Sequence, residues 1–490
     1  MSKSVSKWRN MFWPVYGDEN KKFIPMAIIM ALSLFNYTSL RITKDALIVT
    51  AVGSGASVLN FLKGYVVMPM SILFVVFYSA MSNRVSKKNL FYVTLLPFFT
   101  FFVLFGLVLY PFGDYIHLHP EKLLQMQEMY PRLKHIVPIF GYWSYSLFYV
   151  FSELWGSVVI TLLFWQFANL NTTKDEVKRF YPLFGAYSNI GLITAGFIQR
   201  YSVTTELTCL MVIISGILLI GTYWWVNQYV LHDEHVAEAA AAAASKKPKV
   251  KLSVGASFKM IFQSKYLGYI AIVTLAYGMT LNLVEVTWKD KVRELYPVKH
   301  EFQSFMGDFY MATGISSLLI GFSMKNVVKK FGWLVSAMIT PVVLLVTSVL
   351  FYGFTLYSNM LLPAAVLGTS LPLVLAVIIG SLQNIASKST KYALFDPTTQ
   401  MTYIPLEDDL RIKGKAAVDV IGGRMGKSLG GHVQSLALIL TGGSQMTIAP
   451  VLMGMMIVII LWWLYAVKKL NRAYHNKLQE QSELPHNHKK

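Results

Sequence analysis

The chain is poor in cysteine and in charge, and each shortage excludes something. Of 490 residues a single one is cysteine, Cys209, set in an apolar run. An intrachain disulfide and a cysteine-based metal site are therefore ruled out, and the thiol reads as packing. Charged residues make up only 14%, where soluble domains carry about 25%. Acidic residues are scarcer still, 25 against 44 Lys and Arg, for a net charge of +19. From Phe331 to Ser387 there is no charge at all. No short apolar core with a small-residue cleavage site follows Lys3, Lys7, Arg9, Lys21 and Lys22, so the N-terminus is not expected to be a removed signal peptide. What remains is 54% hydrophobic, with a mean hydropathy of +0.48. These values describe neither a disordered chain nor a soluble globule, but a polytopic membrane protein.

About 20 apolar residues cross a hydrocarbon core. Stretches of that kind fall near 24–43, 58–82, 89–112, 136–170, 180–199, 207–231, 266–288, 305–325, 333–356, 361–387, 416–440 and 446–467. The uncharged run after Phe331 is divided at Tyr357-Ser358-Asn359, a short polar turn. Twelve spans place both termini on one side. Arg41, Lys44, Lys63, Arg424 and Lys427 are set aside as lying in or at the ends of spans, and Lys325 is counted with the loop it adjoins. With the side of the termini cytoplasmic, the inner segments then hold 31 Lys and Arg and the outer loops 8, as the positive-inside rule requires. The net charge thus reflects topology and lipid attraction rather than nucleic-acid binding. The longest inner loop, 232–265, holds an alanine tract and Lys246-Lys247-Pro248-Lys249, and reads as a linker. The expected fold is all-α and major-facilitator-like, with six-helix halves at 1–231 and 266–467 and a polar cytoplasmic tail at 468–490.

Ionisable groups within a span cost about 2.5–3.5 kcal/mol or more at the helix centre, so each is a functional hypothesis. Span one carries Arg41, Lys44 and Asp45, with Arg41 and Lys44 on one face. Span four has Glu153 amid a long uncharged stretch. Asn282 and Glu285 lie in span seven with Lys289 beyond them, and Asn384, Lys388 and Lys391 share a face of span ten. Spans one, four, seven and ten line the central cavity of a two-half rocker by fold-level analogy. The bland reading of the lysines is snorkelling at helix ends; Glu153 is too short and too deep to snorkel far, and its bland reading is an internal ion pair. Span eleven contains Gly422-Gly423-Arg424-Met425-Gly426-Lys427-Ser428, which fails as a phosphate loop because its first glycine is one position late and no strand precedes it. Glycines at 422, 426 and 430 instead suit close helix packing, with Arg424 and Lys427 facing the cavity. Many cations with two deep carboxylates suit a polyanion, since Lys and Arg neutralise phosphate oxygens. Nearby Tyr37, Trp155, Trp165, Trp288 and Tyr392 could stack on a base, although interfacial belts and core packing are the commoner use of such rings.

Several longer runs are distinctive: Asn36-Tyr37-Thr38-Ser39-Leu40-Arg41, Glu153-Leu154-Trp155-Gly156-Ser157, Phe164-Trp165-Gln166-Phe167-Ala168-Asn169, Asn282 to Lys289, Lys391 to Asp396, Tyr403-Ile404-Pro405-Leu406, Lys413 to Ala417 and Gly426-Lys427-Ser428. On these, over residues 10–475, the chain resembles the ATP/ADP translocases of obligate intracellular bacteria and plastids. The resemblance implies twelve helices in a bacterial inner membrane and antiport of host ATP for ADP. Four charged positions central to transport in that family match Lys44, Glu153, Glu285 and Lys427. Ser157 and Val286 stand as in the energy-parasite members. The alternative within the family is proton-coupled or exchange import of other nucleotides (GTP, CTP, UTP), with Glu153 or Glu285 titrating. An enzyme or receptor is disfavoured, because no nucleophile lies at useful spacing from a base. ATP, ADP and the bilayer are the expected partners, with no cofactor, resident metal, nucleic acid or obligate protein partner. Magnesium would enter only as part of the substrate.

Overall fold

The computed structural model describes residues 13–82, 84–201, 203–231, 263–361, 371–406, 414, 418 and 425–483. Arg424, most of the linker and the end of the tail lie outside these residues. Among the described residues all regular structure is helical. In chain order the long helices are α1 (Glu19–Val49), α2 (Val58–Ser82), α3 (Lys88–Leu109), α4 (Trp143–Asn171), α5 (Lys174–Gln199), α6 (Thr205–Val230), α7 (Lys265–Leu295), α8 (299–331), α9 (333–361), α10 (Leu371–Met401), α11 (Gly426–Thr441) and α12 (Gln445–Glu483). Nine stretches among the described residues are long and apolar enough to cross a membrane by themselves. The other helices, α5, α8 and α11, stand where the sequence predicts spans.

Helix ends follow local chemistry rather than hydropathy. α5 begins at Lys174 instead of 180, because the Thr173 hydroxyl accepts from the Glu176 amide while the Glu176 carboxylate accepts from the Thr173 amide. This capping box starts the helix in a charged turn that an apolar window passes over. α4 starts at Trp143 instead of 136, since Val137–Gly141 forms a separate short helix and Tyr142 leaves helical geometry. Between α8 and α9 the chain turns at Gly332, whose φ of 77° lies in the left-handed region that glycine tolerates best. Helix α9 runs through the expected turn at Tyr357 to residue 361. The expected tail is helical as far as Glu483, to which α12 continues unbroken; residues 484–490 lie outside the described residues.

Two apolar cores form. One draws only on residues from Val15 to Val230; the other is built mainly of residues from Tyr266 to Tyr474. Glycine permits the closest helix contacts: a Cβ at Gly278 would meet the Gly426 Cα at 3.1 Å, and one at Gly431 the Asn60 carbonyl at 2.9 Å. α11 is thereby wedged between α7 and α2, which is the close packing that the glycine spacing suggests, with Gly431 added.

The described polar contacts between the N-terminal and C-terminal segments gather toward the face at which α1 ends. There Gln303 of α8 donates to the Gln199 side chain (2.6 Å), the Ser304 hydroxyl to the Arg200 carbonyl (2.6 Å) and the Lys134 ammonium to the Gly442 carbonyl (2.8 Å). Arg200 and Asp308 form an ion pair at 3.3 Å. Gly196 and Gly307 bring the α5 and α8 backbones together, and a Cβ on either would meet the other's carbonyl at 2.7 Å. At the opposite face the described ion pairs, Lys22 with Glu176 and Arg179 with Glu19, stay within the N-terminal segment.

Candidate functional site

The site grows from charges that helical spacing aims inward. On α1, Lys44 and Asp45 follow Arg41 by three and four residues, so each neighbours it on one side of the helix. Asp45 is fully buried and answers two lysines from different segments. Its Oδ1 accepts from the Lys44 ammonium at 2.8 Å, and its Oδ2 from Lys289 of α7 at 2.7 Å. Lys44 also pairs with Glu153 of α4 at 3.0 Å, and its ammonium sits 3.8 Å from the centre of the Tyr149 ring. Both contacts suit an ammonium removed from water.

Glu285 is the hub of the second group. Its carboxylate takes Arg41 at 3.0 Å, Lys388 at 3.2 Å, Lys289 at 3.5 Å and Lys63 at 3.6 Å. Four cations from α1, α2, α7 and α10 thus converge on one carboxylate. Rings back them: Tyr310 lies 5.2 Å from Arg41 and 5.3 Å from Lys388, and Phe309 lies 4.6 Å from Lys388. Solvent reaches the group mainly at Glu153 and Arg41, whose side chains are 17% and 12% exposed.

Of the residues singled out in the sequence, the structure joins Arg41, Lys44, Glu153, Asn282, Glu285, Lys289 and Lys388. Asn282 enters through its Oδ1, which accepts from Lys63 at 2.9 Å. Lys427 makes no hydrogen bond or ion pair among the described residues; it stands half-buried on α11, in electrostatic range of Arg41, Glu153, Glu285 and Lys391. Lys391 turns aside to Asp396 at 2.7 Å. The cause is a wide π-helical turn over Lys391–Phe395, which stacks residues five apart and ends the face begun at Asn384. The Asn384 Nδ2 donates within its own helix to the Gly380 carbonyl at 2.9 Å, while its buried Oδ1 has no hydrogen-bond partner among the described residues. Trp155 and Trp288 are fully buried and donate to backbone carbonyls, Ser33 at 3.1 Å and Val377 at 3.2 Å, so both serve packing.

Lys63 is the site residue that the sequence does not single out; Asp45 stands out there among the charges of span one, without a binding role assigned to it. Lys63 had a signal, being the only charged residue between Asp45 and Arg84, but its place near a span end invites the snorkelling reading. In the group as a whole, Arg41, Lys44, Lys63, Lys289, Lys388 and Lys427 face Asp45, Glu153 and Glu285. The surplus is positive. Such a surplus in a low-dielectric setting attracts a multiply charged anion, and no nucleophile–base pair accompanies it among the described residues.

Comparison with known proteins agrees with this chemistry. The sequence profile described as TLC ATP/ADP transporter matches residues 1–474. The chain belongs to the TLC ATP/ADP transporter family. Among its relatives, ADP,ATP carrier protein 1 of Rickettsia bellii is 41% identical, with 96% of each chain covered. ADP,ATP carrier protein 1 of Chlamydia pneumoniae is 40% identical over 98% of this chain and 96% of its own. A chloroplastic ADP,ATP carrier protein 1 of Arabidopsis thaliana is 42% identical over 95% of this chain and 75% of its own. As a TLC transporter it is a membrane carrier of ATP and ADP, not an enzyme. In fold it is similar to the nucleoside transporter NupG (TM-score 0.57, 13% identity, 91% of this chain and 99% of the other). It is also similar to the xylose transporter XylE from E. coli in a partially occluded inward open conformation (TM-score 0.54, 12% identity, 91% and 97% covered). At such identities the likeness shows the fold alone, which is all-α and major-facilitator-like.

Proposed function

We propose that this carrier imports ATP in exchange for ADP by alternating access, and that phosphates take the place of carboxylates among the central cations. Residues 1–231 and 266–467 would act as two six-helix halves with twelve crossings, joined by a cytoplasmic linker at 232–265 and followed by a tail at 468–490. With the termini cytoplasmic in a bacterial inner membrane, the face at which α1 ends is external, and the described state is shut on that side. Neither nucleic acid nor a further protein is called for.

One observation carries the reading: Glu285 and Asp45 each tie a cation of the opposite segment, through Arg41, Lys63 and Lys289. These bridges hold the external side closed when the site is empty. A nucleotide's phosphates compete for the same ammonium and guanidinium groups, because the geometry that suits carboxylate suits phosphate. In this account bridging pairs hold the empty carrier, and exchange follows because cargo is needed to replace them. Lys44 and Lys427 contribute from different halves, and Glu153 sets the charge around Lys44. Arg41, Asn282, Lys289 and Lys388 belong to the same set; Asn384 and Lys391 are assigned to its margin, and Arg424, which lies outside the described residues, is proposed from the sequence alone.

The test is uptake of labelled ATP into liposomes preloaded with ADP, competed by each unlabelled nucleoside di- and triphosphate. ATP and ADP should compete best, and uptake should require internal nucleotide. Lys44→Ala and Lys427→Ala should each abolish exchange in an inserted protein. Uptake into empty liposomes that rises with external acidity would favour proton-coupled import instead.

A further inference from the structure

The second helix carries a lysine that its sequence setting does not assign and that the carrier reading uses only as one of three bridging cations. We infer that Lys63, together with the side-chain amide of Asn282, forms a further subsite for the phosphate chain of the nucleotide, an inference that rests on the nucleotide-carrier reading above. Lys63 is 8% exposed and stands in a π-helical turn over Leu62–Val67. Such turns cluster at functional positions, where the extra residue re-aims a side chain. The ammonium donates to Asn282 Oδ1 at 2.9 Å and lies 3.6 Å from Glu285 Oε2, the longest of the four contacts to that carboxylate. Its bond to Glu285 is therefore the weakest of the four, and its charge the most available to a ligand.

Asn282 supplies the second observation. It is 1% exposed, its Oδ1 is occupied by Lys63, and its Nδ2 has no hydrogen-bond partner among the described residues. A buried amide donor without an acceptor calls for one. A phosphate oxygen only accepts, and it suits both the idle donor and the neighbouring ammonium. A neutral sugar hydroxyl could take the amide proton but would leave the positive charge unanswered. Position adds a reason for the lysine to lie on α2. Asn60 and Gly64, on either side of it, touch Gly431 and His432 of α11, so Lys63 sits where the two segments cross.

The test uses the full chain in liposomes, with KM and kcat measured for ATP and for ADP. Lys63→Gln should raise both KM values about tenfold or more, with kcat changed less, and Lys63→Arg should recover most of the loss. Asn282→Asp, which removes the idle donor and adds a like charge beside the phosphates, should raise KM in the same way; it decides the question if Lys63→Gln fails to insert. Unchanged KM with reduced kcat, or an arginine variant no better than glutamine, would overturn the subsite and leave the carrier reading intact. Absence of ATP/ADP exchange in the wild-type protein would overturn the carrier reading, and the subsite with it.

Discussion

At the scale of single residues, Asp45 makes the clearest demand. It has no access to solvent and separates two ammonium groups, Lys44 and Lys289, at 2.8 and 2.7 Å. Removing one partner of a buried pair costs about 3–5 kcal/mol, because the other charge is stranded. Asp45→Asn takes the shorter contact from two lysines at once and leaves Lys44 only Glu153 at 3.0 Å and Lys289 only Glu285 at 3.5 Å. The variant should melt several degrees lower in detergent and exchange far more slowly; wild-type melting would show that those two remaining carboxylates suffice. Much of this site is legible in the sequence, since Arg41, Glu153, Glu285 and Lys289 stand out as charges in apolar runs. Lys63 stands out equally, yet a lysine near a helix end has a harmless explanation that only its neighbours across the interface remove. Asp45 stands out beside Lys44 as a charge of the first span, but only the fold brings Lys289 to its other oxygen.

At the scale of elements, the contact between α5 and α8 decides which face is shut. A Cβ at Gly196 would meet the Met311 amide nitrogen at 2.6 Å and the Gly307 carbonyl at 2.7 Å, both backbone atoms that cannot swing aside. Gly196→Leu should therefore part these helices at the face where α1 ends while each segment keeps its own core. Cysteines placed at 200 and 304 should crosslink readily in the parent protein, where the Ser304 hydroxyl reaches the Arg200 carbonyl, and poorly with leucine at 196. Native Cys209 is buried and will not interfere. A shift of about 1.4 kcal/mol changes the ratio of the two states tenfold, so exchange should fall with the crosslinking. Equal crosslinking in both proteins would mean that the glycine contact does not control closure. Hydropathy locates the cores of these helices but not their ends. The start of α5 is set by Thr173 and Glu176, the turn before α9 by Gly332, and the turning away of Lys391 by a local π turn. Each depends on hydrogen bonding or backbone geometry that an average over apolar residues does not register.

At the scale of the whole molecule, topology is the claim to test. Loop charge predicts one side for residue 240 and for the end of the chain, and the other for residue 120, in the exposed helix Pro120–Met129. Reporters fused or inserted at these positions should give cytoplasmic, cytoplasmic and external signals respectively; an external signal at residue 240 would invert the proposed orientation of the closed face. The general fold is legible because the alternation of apolar runs and basic loops is strong over the whole length. The pairing of carboxylates with cations from the opposite segment is not, since residues 41 and 285 are brought together only by the way α1 and α7 cross.

The unbroken run of α12 to Glu483 bears on how any movement can be watched. About sixteen residues past Val467 extend the helix by roughly 24 Å at 1.5 Å per residue. A stiff post of that length, rooted in the C-terminal core through Val467, Leu470 and Tyr474, turns a small tilt of its base into a larger sweep at its tip. A spectroscopic probe near residue 480, read against one fixed on α1, would act as a pointer magnifying each stroke of the transport cycle.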